Sequence, residues 1–287
     1  GLFLSCLDMK KNKTVLIAGP WLGEFGWELF AWQGYVRALS EYFDETVCIS
    51  RKNSKHLYTD FAKQVIAYDR DDGVPDMFFM PNVKIDGALF NEIIQQNKVD
   101  VTNKTVTWFP ARKIGQPPMT HYSEDIGFGD LKIKPKYVIF ENEFRKYDYV
   151  FHIRDRPLRK EDNWSIEKWV KLLELLTQEK KTVACIGTQS SSGWIPGTDD
   201  LRGIPMDELI GVLSNAGHCF GPSSGPMHLA SLCGTPHVVW SIMYNHPRYT
   251  ENWNPHGTPV LFLGDYDWHP SAEYIYQQYK TWTGEKT

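Results

Sequence analysis

Gly221-Pro222-Ser223-Ser224-Gly225-Pro226-Met227-His228-Leu229-Ala230-Ser231-Leu232-Cys233-Gly234-Thr235-Pro236, followed by His237-Val238-Val239-Trp240-Ser241-Ile242, reads as a turn, a short helix, a stop and a buried strand. Small and hydroxylated residues open it, Met227, Leu229, Ala230 and Leu232 supply the helical apolar pattern, and Gly234-Thr235-Pro236 ends the helix. A turn feeding a helix N-terminus presents unpaired backbone N–H groups and the positive end of the helix dipole, which together seat an anion. Diphosphate is the candidate, held by Ser223, Ser224, Gly225, Pro226, Met227 and His228. The same serines can cap the helix when no ligand is bound.

Outward from this stretch the chain keeps an α/β rhythm. Before it, Tyr149 to Ile153 and Thr182 to Ile186 read as strands, and Trp164 to Lys180 and Met206 to Ala216 as helices. After it come a strand at Val260 to Leu263 and a helix from Ser271 to Trp282. The first half opens with a strand at Lys13 to Gly19, a glycine-punctuated loop, a helix from Glu28 to Phe43, and strands at Glu45 to Ser50 and Val65 to Tyr68. The β-loop-α-β order implies parallel sheets with ligands at the carboxyl ends of the strands. Between Asp69 and Pro135 the pattern weakens: a turn follows Asp69, Asn91 to Asn97 is a short helix, Val99 to Phe109 holds one or two strands, and Gln116-Pro117-Pro118 and His121 to Asp130 are loops. This is the expected acceptor region. The charged stretch Glu141 to Asp148 is the expected linker, dividing a domain at 1–143 from one at 144–287, with a deep cleft between them.

The formal charge of −4 gives no electrostatic reason to expect nucleic acid as a partner. Five scattered cysteines with no Cys-x-x-Cys pair suit reduced, buried thiols in a cytoplasmic protein. No apolar run reaches the roughly 18 residues of a membrane span, which leaves peripheral membrane association as the membrane role open to it. Gly1 to Leu7 is apolar without a basic segment before it, so it does not read as a signal peptide, and Met9 is a candidate native start. No His-x-x-x-His pattern occurs, and neither a metal nor a resident cofactor is expected.

Chemistry-bearing residues gather at predicted strand ends. Arg154 and Arg156 follow the strand that ends at Ile153, where a guanidinium can grip a phosphate and neutralise a departing diphosphate. Surface ion pairs with Asp155 and Asp162 are the plainer role for both. Gly187-Thr188 and Leu201 lie in loops that suit a nucleotide's base and ribose. In the first half Glu24 and Glu28 are the two candidate general bases. Glu28 is also an ordinary first-turn acid, whereas Glu24 has no helix to explain it. His228 is either a donor to a phosphate or ribose oxygen or a packing histidine.

Three blocks in the second half resemble the donor domain of the heptosyltransferase family of GT-B glycosyltransferases. They are Asn163-Trp164-Ser165-Ile166-Glu167-Lys168-Trp169, then Thr182 to Thr188 with Asp200-Leu201-Arg202-Gly203, and then Gly221 to Pro236. Gly26-Trp27-Glu28-Leu29-Phe30 and Tyr35-Val36-Arg37-Ala38-Leu39 are similar to the opening of that family. His152-Ile153-Arg154 resembles the His-x-Arg motif of fucosyltransferases, where the arginine holds the donor diphosphate. Ser223 stands where the family's signature has Asp, and Trp27 aligns with its first-domain Asp base, leaving Glu24 or Glu28 as substitutes. The resemblance implies an α/β GT-B fold, two Rossmann-like domains facing a cleft, with a C-terminal helix returning to the N-terminal domain. It further implies metal-independent, inverting transfer of a sugar from a nucleotide-diphospho-sugar to a hydroxyl of a glycan or other acceptor. A sugar-nucleotide epimerase of the same architecture, or a non-catalytic nucleotide- or glycan-binding module, are the competing expectations.

Overall fold

The computed structural model describes residues 12–69, 84–111, 126–128 and 130–285. The expected turn after Asp69, the Gln116 to Pro118 loop and the start of the chain lie outside the described residues.

Two parallel sheets carry the fold. In the first, β1 (Lys13–Ala18), β2 (Glu45–Ser50), β3 (Gln64–Ala67) and β4 (Lys104–Phe109) lie in the order β3-β2-β1-β4. Between β1 and β2 the chain runs through α1 (Phe25–Trp27), a π-helical turn (Glu28–Trp32) and α2 (Gln33–Ser40). Every residue from 28 to 39 is buried, which happens to a helix covered on all sides. The second half covers Phe30 through His228 and Trp253, and residues 51–61 and 136–140 enclose Glu28 and Arg37. Helix α3 (Gly87–Gln96) starts earlier than its apolar pattern suggests, because the Asp86 side chain accepts hydrogen bonds from the Ala88 and Leu89 amides. The expected loop at 121–130 gives way at its end to an antiparallel hairpin of β5 (Ile126–Phe128) and β6 (Leu131–Ile133). Three-residue strands are too short for a period-two pattern to reveal.

The second sheet has the order β12-β11-β10-β7-β8-β9, formed by β7 (Tyr149–Phe151), β8 (Val183–Cys185), β9 (Asp199–Asp200), β10 (His218–Pro222), β11 (His237–Trp240) and β12 (Val260–Leu263). Its helices are α4 (Ile166–Leu176), α5 (Met206–Ser214), α6 (Gly225–Leu232) and α7 (Ala272–Thr283). Residues 134–148 have no regular structure and carry the chain across. Along this crossing the Lys136 amide donates to the Gly34 carbonyl at 2.9 Å and the Phe140 amide to the Leu232 carbonyl at 2.9 Å.

The halves share one apolar cluster, which runs from Leu16, Phe30 and Trp32 through Met227 and Leu229 to Trp253. Phe30 stacks on Trp253 at 5.1 Å and Trp27 meets the same indole edge-on at 4.8 Å, an aromatic seam between them. One expectation is corrected here. The final helix α7 does not return to the first sheet. Its buried residues Ala272, Ile275 and Tyr279 pack in the core of the second sheet with Trp169 and Leu172 of α4.

Candidate functional site

In a parallel sheet, ligands bind where the strand order reverses, because the loops leaving two adjacent strands diverge and open a crevice. In the second sheet this point is the β7/β10 pair, and in the first sheet the β1/β4 pair. Arg154 and Arg156 leave β7, Ser223 and Ser224 leave β10, and Glu24 lies on the loop leaving β1. The two switch points meet: the Glu24 carboxylate lies 3.6 Å from Arg156 Nη1.

Arg154 is the centre of the site. Its side chain is 3 % exposed, yet the nearest carboxylate oxygen, on Asp162, stands 3.8 Å away. Nη1 donates to the Ser223 carbonyl at 3.2 Å, the guanidinium lies 5.1 Å from the Trp268 ring centroid, and Nε has no partner among the described residues. Burial, reinforced by Arg156 and Arg159, pushes its pKa down to about 10. A buried cation with an idle donor beside other arginines has the chemistry to hold an anion.

The turn into α6 adds backbone donors. Neither serine caps the helix. Ser223 Oγ accepts from Tyr249 Oη at 3.0 Å, Tyr249 Oη accepts in turn from the Ser224 amide at 3.1 Å, and Ser224 Oγ lies 2.8 Å from His152 Nδ1. The expectation that the serines satisfy the helix N–H groups is therefore corrected: other side chains hold both hydroxyls. Gly225 is required by a neighbour, since a Cβ there would lie 2.8 Å from Phe25 Cδ1. Through that contact α1 closes over the turn.

Several expected residues stand apart from this mouth. Glu28 is fully buried, and its carboxylate accepts from Tyr58 Oη at 2.7 Å, Ser54 Oγ at 2.8 Å and Arg51 Nη2 at 3.1 Å. It has no solvent access and is held by groups of residues 51–58, so it does not face the mouth as a base would. Met227 is core, with its sulfur 3.6 Å from Cys219 Sγ. His228 is buried and stacks on Tyr249 at 4.2 Å, its Nδ1 unpartnered among the described residues and its pKa driven well below the ordinary range by burial and by Arg248. Pro226 occupies the first turn without an N–H to offer. Gly187, with φ +121°, Thr188 and Leu201 lie at the carboxyl ends of β8 and β9; Thr188 Oγ1 is 2.6 Å from Ser191 Oγ and Leu201 is half-buried.

Three residues were not foreseen: Ser192 beside the turn, Trp268 against Arg154, and Arg248, whose guanidinium lies 5.2 Å from the Trp27 ring and 5.0 Å from that of Trp253. His152, whose Nε2 lies 3.1 Å from Ser192 Oγ, entered the sequence reading only as the first residue of the His-x-Arg motif, with no role of its own. Among the described residues no group of three His, Cys, Asp or Glu could hold a metal ion, and no helix is long and apolar enough to cross a membrane.

No protein-family model and no curated protein sequence matches the chain. Solved structures do. A glycosyl transferase family 9 protein from Veillonella parvula superposes with a TM-score of 0.61 at 11 % identity, over 97 % of this chain and 99 % of its own. The E. coli heptosyltransferase WaaC with ADP gives 0.55 at 12 % identity, over 93 % and 99 %. The E. coli ADP-heptose LPS heptosyltransferase II gives 0.52 at 10 % identity, over 95 % and 100 %. The chain has the GT-B fold. In fold it is heptosyltransferase-like along its whole length, and identity this low carries the fold rather than the substrate.

Proposed function

We propose that the protein is a glycosyltransferase that moves a sugar from a nucleotide-diphospho-sugar to an acceptor hydroxyl. The observation that carries this reading is Arg154, a buried guanidinium with an idle Nε, bonded to the Ser223 carbonyl at the mouth of α6. The donor diphosphate sits across Arg154, Arg156 and the α6 N-terminus. Base and ribose extend toward Thr188 and Leu201. The acceptor approaches from the first half, where Glu24 is the one candidate base that reaches the mouth.

The reaction is a single inverting displacement. The acceptor oxygen attacks the anomeric carbon from the face opposite the diphosphate, its proton passes to Glu24, and the bond to the diphosphate oxygen breaks with its electron pair on the leaving group. Arg154, Arg156 and the helix amides stabilise that developing charge, the role a metal ion plays elsewhere. The similarity to heptosyltransferase structures, one of them with ADP, supports this class of donor. The decisive experiment is a thermal-shift panel of ADP, GDP, UDP and TDP, followed by transfer from the matching sugar nucleotide. Glu24→Gln is expected to bind the nucleoside diphosphate and to lose transfer by about 100-fold or more. Full transfer by Glu24→Gln refutes the base assignment. Isomerisation of the donor without acceptor replaces transfer with epimerisation, and binding without any turnover reduces the protein to a binding module.

A further inference from the structure

A serine at the N-cap of a helix ordinarily bonds back to the amide two or three residues on. Ser224 does not: its side chain makes no cap and lies 2.8 Å from His152 Nδ1, while His152 Nε2 lies 3.1 Å from Ser192 Oγ. This chain of three links the turn after β10, through the end of β7, to the loop after β8. His152 is 5 % exposed. Ser192 has its place because residue 187 is glycine, where a Cβ would lie 2.0 Å from Ser192 Oγ.

We infer that His152 is a positioning residue which turns Ser224 into a hydroxyl donor for the substrate's phosphate, an inference that rests on the donor site proposed above. A neutral imidazole has one N–H and one acceptor nitrogen. With the proton on Nδ1, Ser224 Oγ accepts from the ring and its own proton is left for a phosphate oxygen. Ser192 then donates to Nε2. With the proton on Nε2 the roles reverse, and the Ser224 proton is spent on the ring. Held away from its own helix, Ser224 also leaves the first-turn amides to the ligand. Burial, and next the charge of Arg154, keep the imidazole pKa down at about 3, so the ring stays neutral and the tautomer alone decides. Ser224 and Gly225 are half-buried at the mouth, and the idle Arg154 Nε lies in the same cluster. Occupation of the phosphate site thus selects the Nδ1–H tautomer and draws Ser192 into its donor role.

The test is calorimetric titration of the best-binding nucleoside diphosphate of the four, and of inorganic pyrophosphate, into four full-length variants. Ser224→Ala and His152→Leu are each expected to weaken binding about tenfold, and the double variant no more than either alone, because both remove the same bond. His152→Asn, whose amide nitrogen replaces Nδ1, recovers affinity to within about threefold. Imidazole 15N shifts of the wild type are expected to show Nδ1 protonated with ligand bound. If His152→Leu fails to fold, the asparagine variant and the 15N shifts decide. Wild-type binding with unchanged affinity in Ser224→Ala, additive losses in the double variant, or a bound Nε2–H tautomer each overturn the inference and leave the donor site standing. A wild type that binds neither the nucleotides nor pyrophosphate overturns the donor site itself.

Discussion

Replacing Arg154 by methionine separates a residue kept for a ligand from one kept for the fold. Methionine has similar reach and no charge. Burial lowers the Arg154 pKa to about 10, which corresponds to roughly 3 kcal/mol against the charged form at pH 7. The substitution removes that cost together with the bond to the Ser223 carbonyl at 3.2 Å, worth about 1.5 kcal/mol for a charged donor. The ligand-free variant is therefore expected to gain about 1 to 2 kcal/mol, raising Tm by a few degrees, roughly 2–4 °C per kcal/mol at this size. A nucleoside diphosphate at 100 times its Kd stabilises the wild type by about 2.7 kcal/mol, and the variant is expected to lose nearly all of that shift. Thermal melts of both proteins, with and without ligand, read the two effects together. Destabilisation of the ligand-free variant by more than about 2 kcal/mol, or a preserved ligand shift, refutes the view that this guanidinium is held for an anion at the expense of stability.

Three further perturbations follow from the same geometry. Glu28→Ala strands Arg51, Tyr58 and Ser54 around an empty site and is expected to cost about 3–5 kcal/mol in urea denaturation, with Glu28→Gln much milder; a neutral Glu28→Ala would mean the network is not formed. Gly187→Ala, at φ +121° and with its Cβ 2.0 Å from Ser192 Oγ, is expected to lower Tm by several degrees through about 1–3 kcal/mol of strain and to weaken nucleotide binding; an unchanged melt denies the contact. Buried His152 and His237 are held at about 3 and about 4 and His228 well below its ordinary value, chiefly by desolvation, so below the unfolded value near 6.5 the unfolded chain binds more protons. Stability is then complete above about pH 7.5 and falls as the pH drops, by about 1.4 kcal/mol per histidine between pH 7.5 and 5.5. Urea denaturation at the two values is expected to differ by about 4 kcal/mol, and a flat profile would place these rings in solvent.

Much of the fold is local and was readable. Apolar runs such as Val15 to Ala18 and Val238 to Trp240 mark strands because a sheet covered on both faces needs no polar alternation. Gly221 to Pro236 announced its turn, helix and stop through glycine, serine and proline, whose backbone preferences act within a few residues. The shape of the interface was not readable. Trp27 and Phe30 carry no sign in the sequence that they meet Trp253 more than 200 positions later, nor does α7 reveal which sheet it covers.

Residue order alone places the chemical types at the ends of the strands: a guanidinium after β7, hydroxyls and a helix start after β10, a carboxylate after β1. Which of them meet depends on how the chain packs. Glu24 and Glu28 stand one helical turn apart, yet one carboxylate reaches Arg156 at the mouth and the other is enclosed by Arg51, Ser54 and Tyr58. His152 and Ser224 are 72 positions apart and touch because β7 and β10 are neighbours in the sheet. The physical reason is that propensity and patterning act over a few residues, whereas strand order and burial are set by how the whole chain closes its core. A residue's access to substrate depends on the second.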